Sequence, residues 1–124
     1  MTNDKAEMMR GKKFDLEERT LQFCKGCIDL CKPLTRNILN AELIAQLIRA
    51  SGSTGANYRE ANDSTTRKEF FYRIGICRKE AKESQYWLEL LLHSDVKLFE
   101  TIGPLIQEAH QLIKIFAKIA QSNT

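Results

Sequence analysis

Three of the four cysteines, Cys24, Cys27 and Cys31, form a C-x-x-C-x-x-x-C run, and Cys77 stands far from them. Thiolates at such spacings can hold zinc or an iron–sulfur cluster. Steps of three and four are also the core spacings of a helix, and Phe23, Ile28 and Leu30 continue that face. Reduced cysteine packs as a small hydrophobe, so the run reads as buried structural thiols, with no metal site and no cofactor. The two histidines add no metal chemistry. A di-iron bundle builds its site from Glu-x-x-His pairs, but Leu90 stands three places before His93 and Gln107 three before His110. No residue is marked as a nucleophile, so the chain reads as a non-enzyme without catalytic residues and without an evident small-molecule substrate. The glycines of "RASGSTGANYREAN" do not make a phosphate loop, because "GSTGAN" lacks both the Lys-Ser/Thr ending and a preceding strand.

Charge carries the remaining chemistry. Lys68, Gly75, Lys79, Lys82 and Tyr86 fall on one face of a long helix, with Arg59 and Arg67 at the junction before it. Such a cluster could contact phosphates while the tyrosine stacks on a base. Against this, Glu60, Glu69, Glu80 and Glu83 are interleaved, and Lys79 with Glu83 suits an i,i+4 ion pair on a solvated face. A net charge of +3 and a pI near 8.7 permit contact with RNA or another nucleic acid without demanding it. A scaffold that presents surfaces to another protein and touches no nucleic acid fits the same residues.

The elements that would position these groups are helices. With 124 residues, 43% hydrophobic and 28% charged, the chain suits one soluble domain with a core of its own. Residues 1–13 are polar and without period, which predicts a flexible N-terminal tail ahead of a domain over 14–124. No apolar run reaches the length of a membrane span, and "MTNDKAEMMRGKKFD" lacks the apolar core of a signal peptide, which points to the cytoplasm. Apolar spacing predicts a first helix from Phe14 to about Leu34, closed by Pro33. A second follows Asn40 as N-cap, with Leu43, Leu47 and Ala50 on one face. Ser64 is the expected N-cap of a third, which runs to His93 over roughly 45 Å; Arg67 then occupies the place where a capping box wants Glu or Gln. A fourth runs to about Ala120 with Leu105, Ala109, Leu112, Phe116 and Ile119 inward, and Pro104 suits the first turn of its main body. These helices predict an all-α fold, an antiparallel up-down four-helix bundle.

Two stretches go beyond that plan. Ser51, Gly52, Gly55 and Ala56 pair small residues four apart, which predicts that residues 40–60 stay helical and let a neighbouring helix approach closely. On the third helix, Phe70, Ile74, Cys77, Ala81, Ser84, Leu88 and Leu91 form a core seam. Tyr72, Ile76, Trp87 and Leu90 form a second apolar stripe nearly opposite. They are either scattered exposed apolar residues or a subunit interface anchored by Trp87.

"QLIRASGSTGANYREAN", "RKEFFYRIGICRKEAKESQYWLELL" and "LIQEAHQLIKIFAKI" together resemble the four-helix-bundle family of bacterial 23S rRNA intervening-sequence proteins, over about residues 14–120. That family shows Arg-x-Ser-x-Ser-x-x-x-Asn-x-x-Glu, then Lys-Glu-Phe, then Glu with Tyr six places on. The matching positions are Arg49, Ser51, Ser53, Asn57, Glu60, Lys68, Glu69, Phe70, Glu80, Glu83 and Tyr86. The resemblance implies an up-down bundle that assembles as a homopentamer, in a family whose biochemical role is poorly defined. It also implies kinship of fold with the accessory protein of diversity-generating retroelements, a basic pentameric barrel that binds nucleic acid and a reverse transcriptase. The charge of this chain is modest beside that protein.

Overall fold

The computed structural model describes residues 2–123, with side chains from residue 16 onward. Helices α1 (Thr2–Cys31), α2 (Ile38–Asn62), α3 (Arg67–Ser94) and α4 (Phe99–Gln121) follow one another through short connections, the last holding one 3-10 turn, Val96–Leu98. The tail expected over residues 1–13 falls in the part of α1 whose side chains lie outside the described residues. No strand occurs among the described residues.

Named contacts fix the antiparallel order. Asn62 Nδ2 donates to Glu17 Oε2 at 2.7 Å, while Ser51 Oγ faces Cys24 Sγ at 3.5 Å, so α1 and α2 run oppositely. Arg49 meets Glu80 and Arg73 meets Asn57, which sets α3 against α2 in the same sense. Arg67 at the start of α3 donates to Asn123 beyond the end of α4. Arg19 closes the ring with a forked bond to Glu108 of α4, at 3.1 and 2.7 Å. The expected up-down bundle is the fold.

Both expected N-caps move. The cap of α2 is Asn37, whose side chain accepts from the Asn40 N–H at 2.8 Å; Asn40 lies inside the helix and donates to the Thr35 carbonyl. The cap of α3 is Thr66, which accepts from the Glu69 N–H at 3.1 Å. Ser64 instead turns its hydroxyl back to the Glu60 carbonyl and closes α2. With Thr66 as cap, Glu69 takes the acidic place of a capping box. Helix α4 starts at Phe99, so Pro104 sits in its second turn.

Every helix contributes to the core: Phe23 and Cys27, Leu47 and Tyr58, Ile74 and Leu88, Leu112 and Phe116 are among its buried members. Tyr58 and Phe116 pack as tilted rings 5.9 Å apart. The seam expected on α3 is buried from Ile74 to Leu91, with Phe70 packed at its margin. Ile28, expected to continue the cysteine face, is instead 38% exposed. Buried hydroxyls find partners within their own helix: Thr20, Thr54 and Ser84 each donate to the carbonyl four residues back, at 2.8 to 2.9 Å. This removes the desolvation cost of an unpaired hydroxyl.

The small residues of α2 serve the approach of α1. The helix is continuous through residues 51–56. A Cβ added at Gly55 would meet Thr20 Oγ1 at 3.0 Å and Thr20 Cβ at 3.2 Å. One added at Gly52 would meet only Cys24 Sγ, at an ordinary 3.8 Å. Close packing therefore requires one glycine of the two.

Candidate nucleic-acid interface

Helix α3 carries the candidate site, and its caps and seam determine which side faces out. With Ile74, Cys77, Ala81, Leu88 and Leu91 buried, the helical period leaves Lys68, Gly75, Lys79, Lys82 and Tyr86 on the opposite, exposed side. These five expected residues do share one outward face.

Two of the four carboxylates interleaved with them, Glu80 and Glu83, are engaged elsewhere, while Glu60 and Glu69 are exposed. Arg49 of α2 reaches across and forks between two carboxylates, with Nη1 to Glu80 Oε2 and Nη2 to Glu83 Oε1, both at 2.8 Å. Its Nε donates to Gln46 at 3.2 Å, which fixes the guanidinium plane. The Glu80 side chain is only 6% exposed, so its charge is matched where water cannot match it. The i,i+4 pair expected between Lys79 and Glu83 does not form, because Glu83 turns to Arg49. Among the described residues Lys68, Lys79 and Lys82 make no ion pair. The solvated-face alternative loses its pairing argument.

The two arginines of the junction are placed differently. Arg67 lies over the Phe71 ring at 4.9 Å and donates to Asn123 Oδ1 and the Ser122 carbonyl, tying α3 to the end of α4. Arg59 stands on the side of α2 that faces α1, at an open groove of about 280 Å³ lined also by Thr20, Leu21, Cys24, Gly52, Gly55 and Ala56. The structure therefore does not bring Arg59 to the lysine face.

Of the remaining motif positions, Asn57, braced by Ser53, fastens α2 to α3. Asn57 Nδ2 donates to both the carbonyl and the hydroxyl of Ser53 at 2.9 Å, and its Oδ1 accepts from Arg73 at 3.0 Å. Ser51 is buried against α1. Phe70 packs edge-on to Phe71 at 5.1 Å. Glu60 is exposed, and its carbonyl takes the Ser64 hydroxyl. Arg73 is the residue that the sequence reading misses. The antiparallel register that sets Arg49 opposite Glu80 also sets Asn57 opposite Arg73, and a single sequence carries no signal of that register.

The second stripe divides. Tyr72 is 66% exposed. Trp87 and Leu90 are half-buried and pack against the core of their own chain, so neither stands free in water as expected of a lone bundle. Ile76 is half-buried. The thiols lie inward: Cys27, Cys31 and Cys77 are buried and Cys24 is half-buried. Burial pushes the Cys27 and Cys77 thiols up to about 12 and raises Cys31 as well. A thiol held protonated is a poor metal ligand or nucleophile.

Among the described residues no helix is long and apolar enough to cross a membrane. A family model described as 23S rRNA-intervening sequence protein matches residues 12–118. No curated protein matches the chain. A crystal structure of a protein of unknown function from Bacteroides thetaiotaomicron VPI-5482, assigned to the S23 ribosomal protein family, shares the fold. It aligns with TM-score 0.76 and 27% identity over 85% of this chain and 97% of that one.

Proposed function

The chain belongs to the 23S rRNA-intervening sequence protein family, and on that premise we propose that it is a non-enzymatic, self-assembling bundle that binds RNA through the outward face of α3. One observation carries the reading. Arg49 draws Glu80 and Glu83 into the α2–α3 contact, while Lys79 and Lys82 beside them, and Lys68 about three turns nearer the start of α3, stay exposed without ion pairs among the described residues. The single guanidinium offsets one of those two carboxylates, so the four cations Arg49, Lys68, Lys79 and Lys82 against the three carboxylates Glu69, Glu80 and Glu83 leave the face at a net +1, on a chain that carries +3. Phosphate binding by counterion release needs only such a local cluster. Assembly would multiply it, since a ring repeats the face on every subunit, and the family resemblance puts that ring at five.

A protein-binding scaffold is the second reading, and a separate surface favours it. Ile38 is 93%, Leu39 58%, Val96 73% and Phe99 66% exposed. The antiparallel order puts the α1–α2 and α3–α4 connections, and with them these four residues, at one end of the bundle. Electrophoretic shift with structured rRNA fragments across a salt series separates the readings. A shift that weakens as salt rises supports RNA binding, and no shift at low salt leaves the scaffold.

A further inference from the structure

Resting on the RNA-binding reading, we propose that Tyr86 is a stacking platform for an unpaired base, so that the α3 face takes single-stranded RNA in preference to duplex. Tyr86 is 55% exposed, yet its ring is braced edge-on against Trp87, with centroids 5.1 Å apart and planes at 71°. Trp87 is itself packed against the core. The tyrosine therefore offers a wet aromatic surface whose orientation is already restricted, which lowers the entropy cost of stacking.

Within two turns of the ring, charge has a direction. Toward the start of α3 lie Lys82 and Lys79, about 6 and 10 Å along the axis, and then Lys68 at about 27 Å. Glu83, on that same side, is held by Arg49. Toward the end of α3 stands Glu89, which accepts only from Gln85 at 3.3 Å and has no cation in ion-pair reach among the described residues. A strand anchored on Tyr86 would run its phosphates toward Lys68. Between Lys68 and Lys79 the face is bare at Gly75, where an added Cβ would meet no atom within 4 Å. Packing does not require that glycine, and its absence of a side chain lets a nucleic-acid backbone approach the helix. A duplex cannot use this arrangement. Its bases are already stacked and its A-form major groove admits no side chain, whereas unpaired bases can splay onto an aromatic ring.

The test is fluorescence anisotropy with one labelled RNA of mixed sequence, alone and annealed to its complement, using the wild-type chain, Tyr86→Ala and Tyr86→Phe. The single strand should bind about tenfold more tightly than the duplex, Tyr86→Ala should lose about tenfold or more on the single strand only, and Tyr86→Phe should stay within about twofold. Trp87 is the only tryptophan, so its emission should change as the single strand saturates the wild-type chain. Circular dichroism should show the same helix content in all three proteins. Equal affinity for both RNAs, or no loss in Tyr86→Ala, overturns the platform and leaves RNA binding standing. Binding of neither RNA overturns both.

Discussion

A methyl group added at Gly55 meets Thr20 Oγ1 at 3.0 Å, whereas one added at Gly75 meets no atom within 4 Å. The two substitutions should therefore have opposite effects. Gly75→Ala removes a mid-helix glycine at no steric cost and should raise stability by about 1 kcal/mol in urea unfolding. Gly55→Leu forces α1 away and should lower it by about 1–3 kcal/mol; a loss below about half a kilocalorie would mean the helices are not in close contact there. Spacing alone shows that small residues recur on α2. It does not show which glycine faces a neighbour, because that depends on the register of α1 against α2. The cysteines yield a prediction with a definite sign. Burial raises the Cys27 and Cys77 thiols to about 12, so above about pH 8.5 the unfolded chain loses protons that the folded chain keeps. Their contribution to stability is thus full at neutral pH and declines as pH rises from there toward 12. Unfolding midpoints should fall between pH 8 and 10, and the fall should be smaller in Cys77→Ala; an equal fall in both would deny the thiols this part.

At the scale of elements, the caps show what a local reading can and cannot decide. Asn37 and Asn40 are identical residues three places apart, and Ser64 and Thr66 are equally plausible hydroxyl caps. The choice falls to geometry: Asn37 reaches the Asn40 N–H, and Thr66 reaches the Glu69 N–H. The seam of α3 was legible because its seven-residue repeat is a property of one helix. The engagement of Glu80 and Glu83 was not, since it needs Arg49 from another helix. That network has a measurable weight. Arg49→Ala leaves the Glu80 carboxylate nearly buried without its partner and should cost about 2 kcal/mol. Adding Glu80→Gln to that variant removes the stranded charge and should recover part of the loss. A double variant no more stable than Arg49→Ala would show that Glu80 is solvated from another direction.

At the scale of the whole molecule, the stripe of α3 bears on the proposed ring. Trp87 is tied to its own core, so Trp87→Ala should both loosen assembly and lower the stability of the single bundle, by about 1–3 kcal/mol. Tyr72, 66% exposed, is the cleaner probe: Tyr72→Ala should shift the sedimenting species toward smaller forms with helicity unchanged, and its unfolding midpoint should lose the dependence on protein concentration that assembly gives the wild-type chain. A wild-type chain that sediments as a monomer at micromolar concentration would contradict the ring. Tyr72 lies one turn from Lys68 and two from Lys79 on the same side of α3, so RNA binding is separated from assembly by sedimenting each lysine variant beside the binding measurement. The most direct measurement is the slope of log affinity against log salt for an unpaired RNA, compared between the wild-type chain and Lys68→Gln/Lys79→Gln/Lys82→Gln. Each lost phosphate contact should flatten the slope by about 0.7, so the triple variant should lose about 2 from its magnitude and bind weakly at every salt concentration. An unchanged slope in the triple variant would contradict RNA binding by this face.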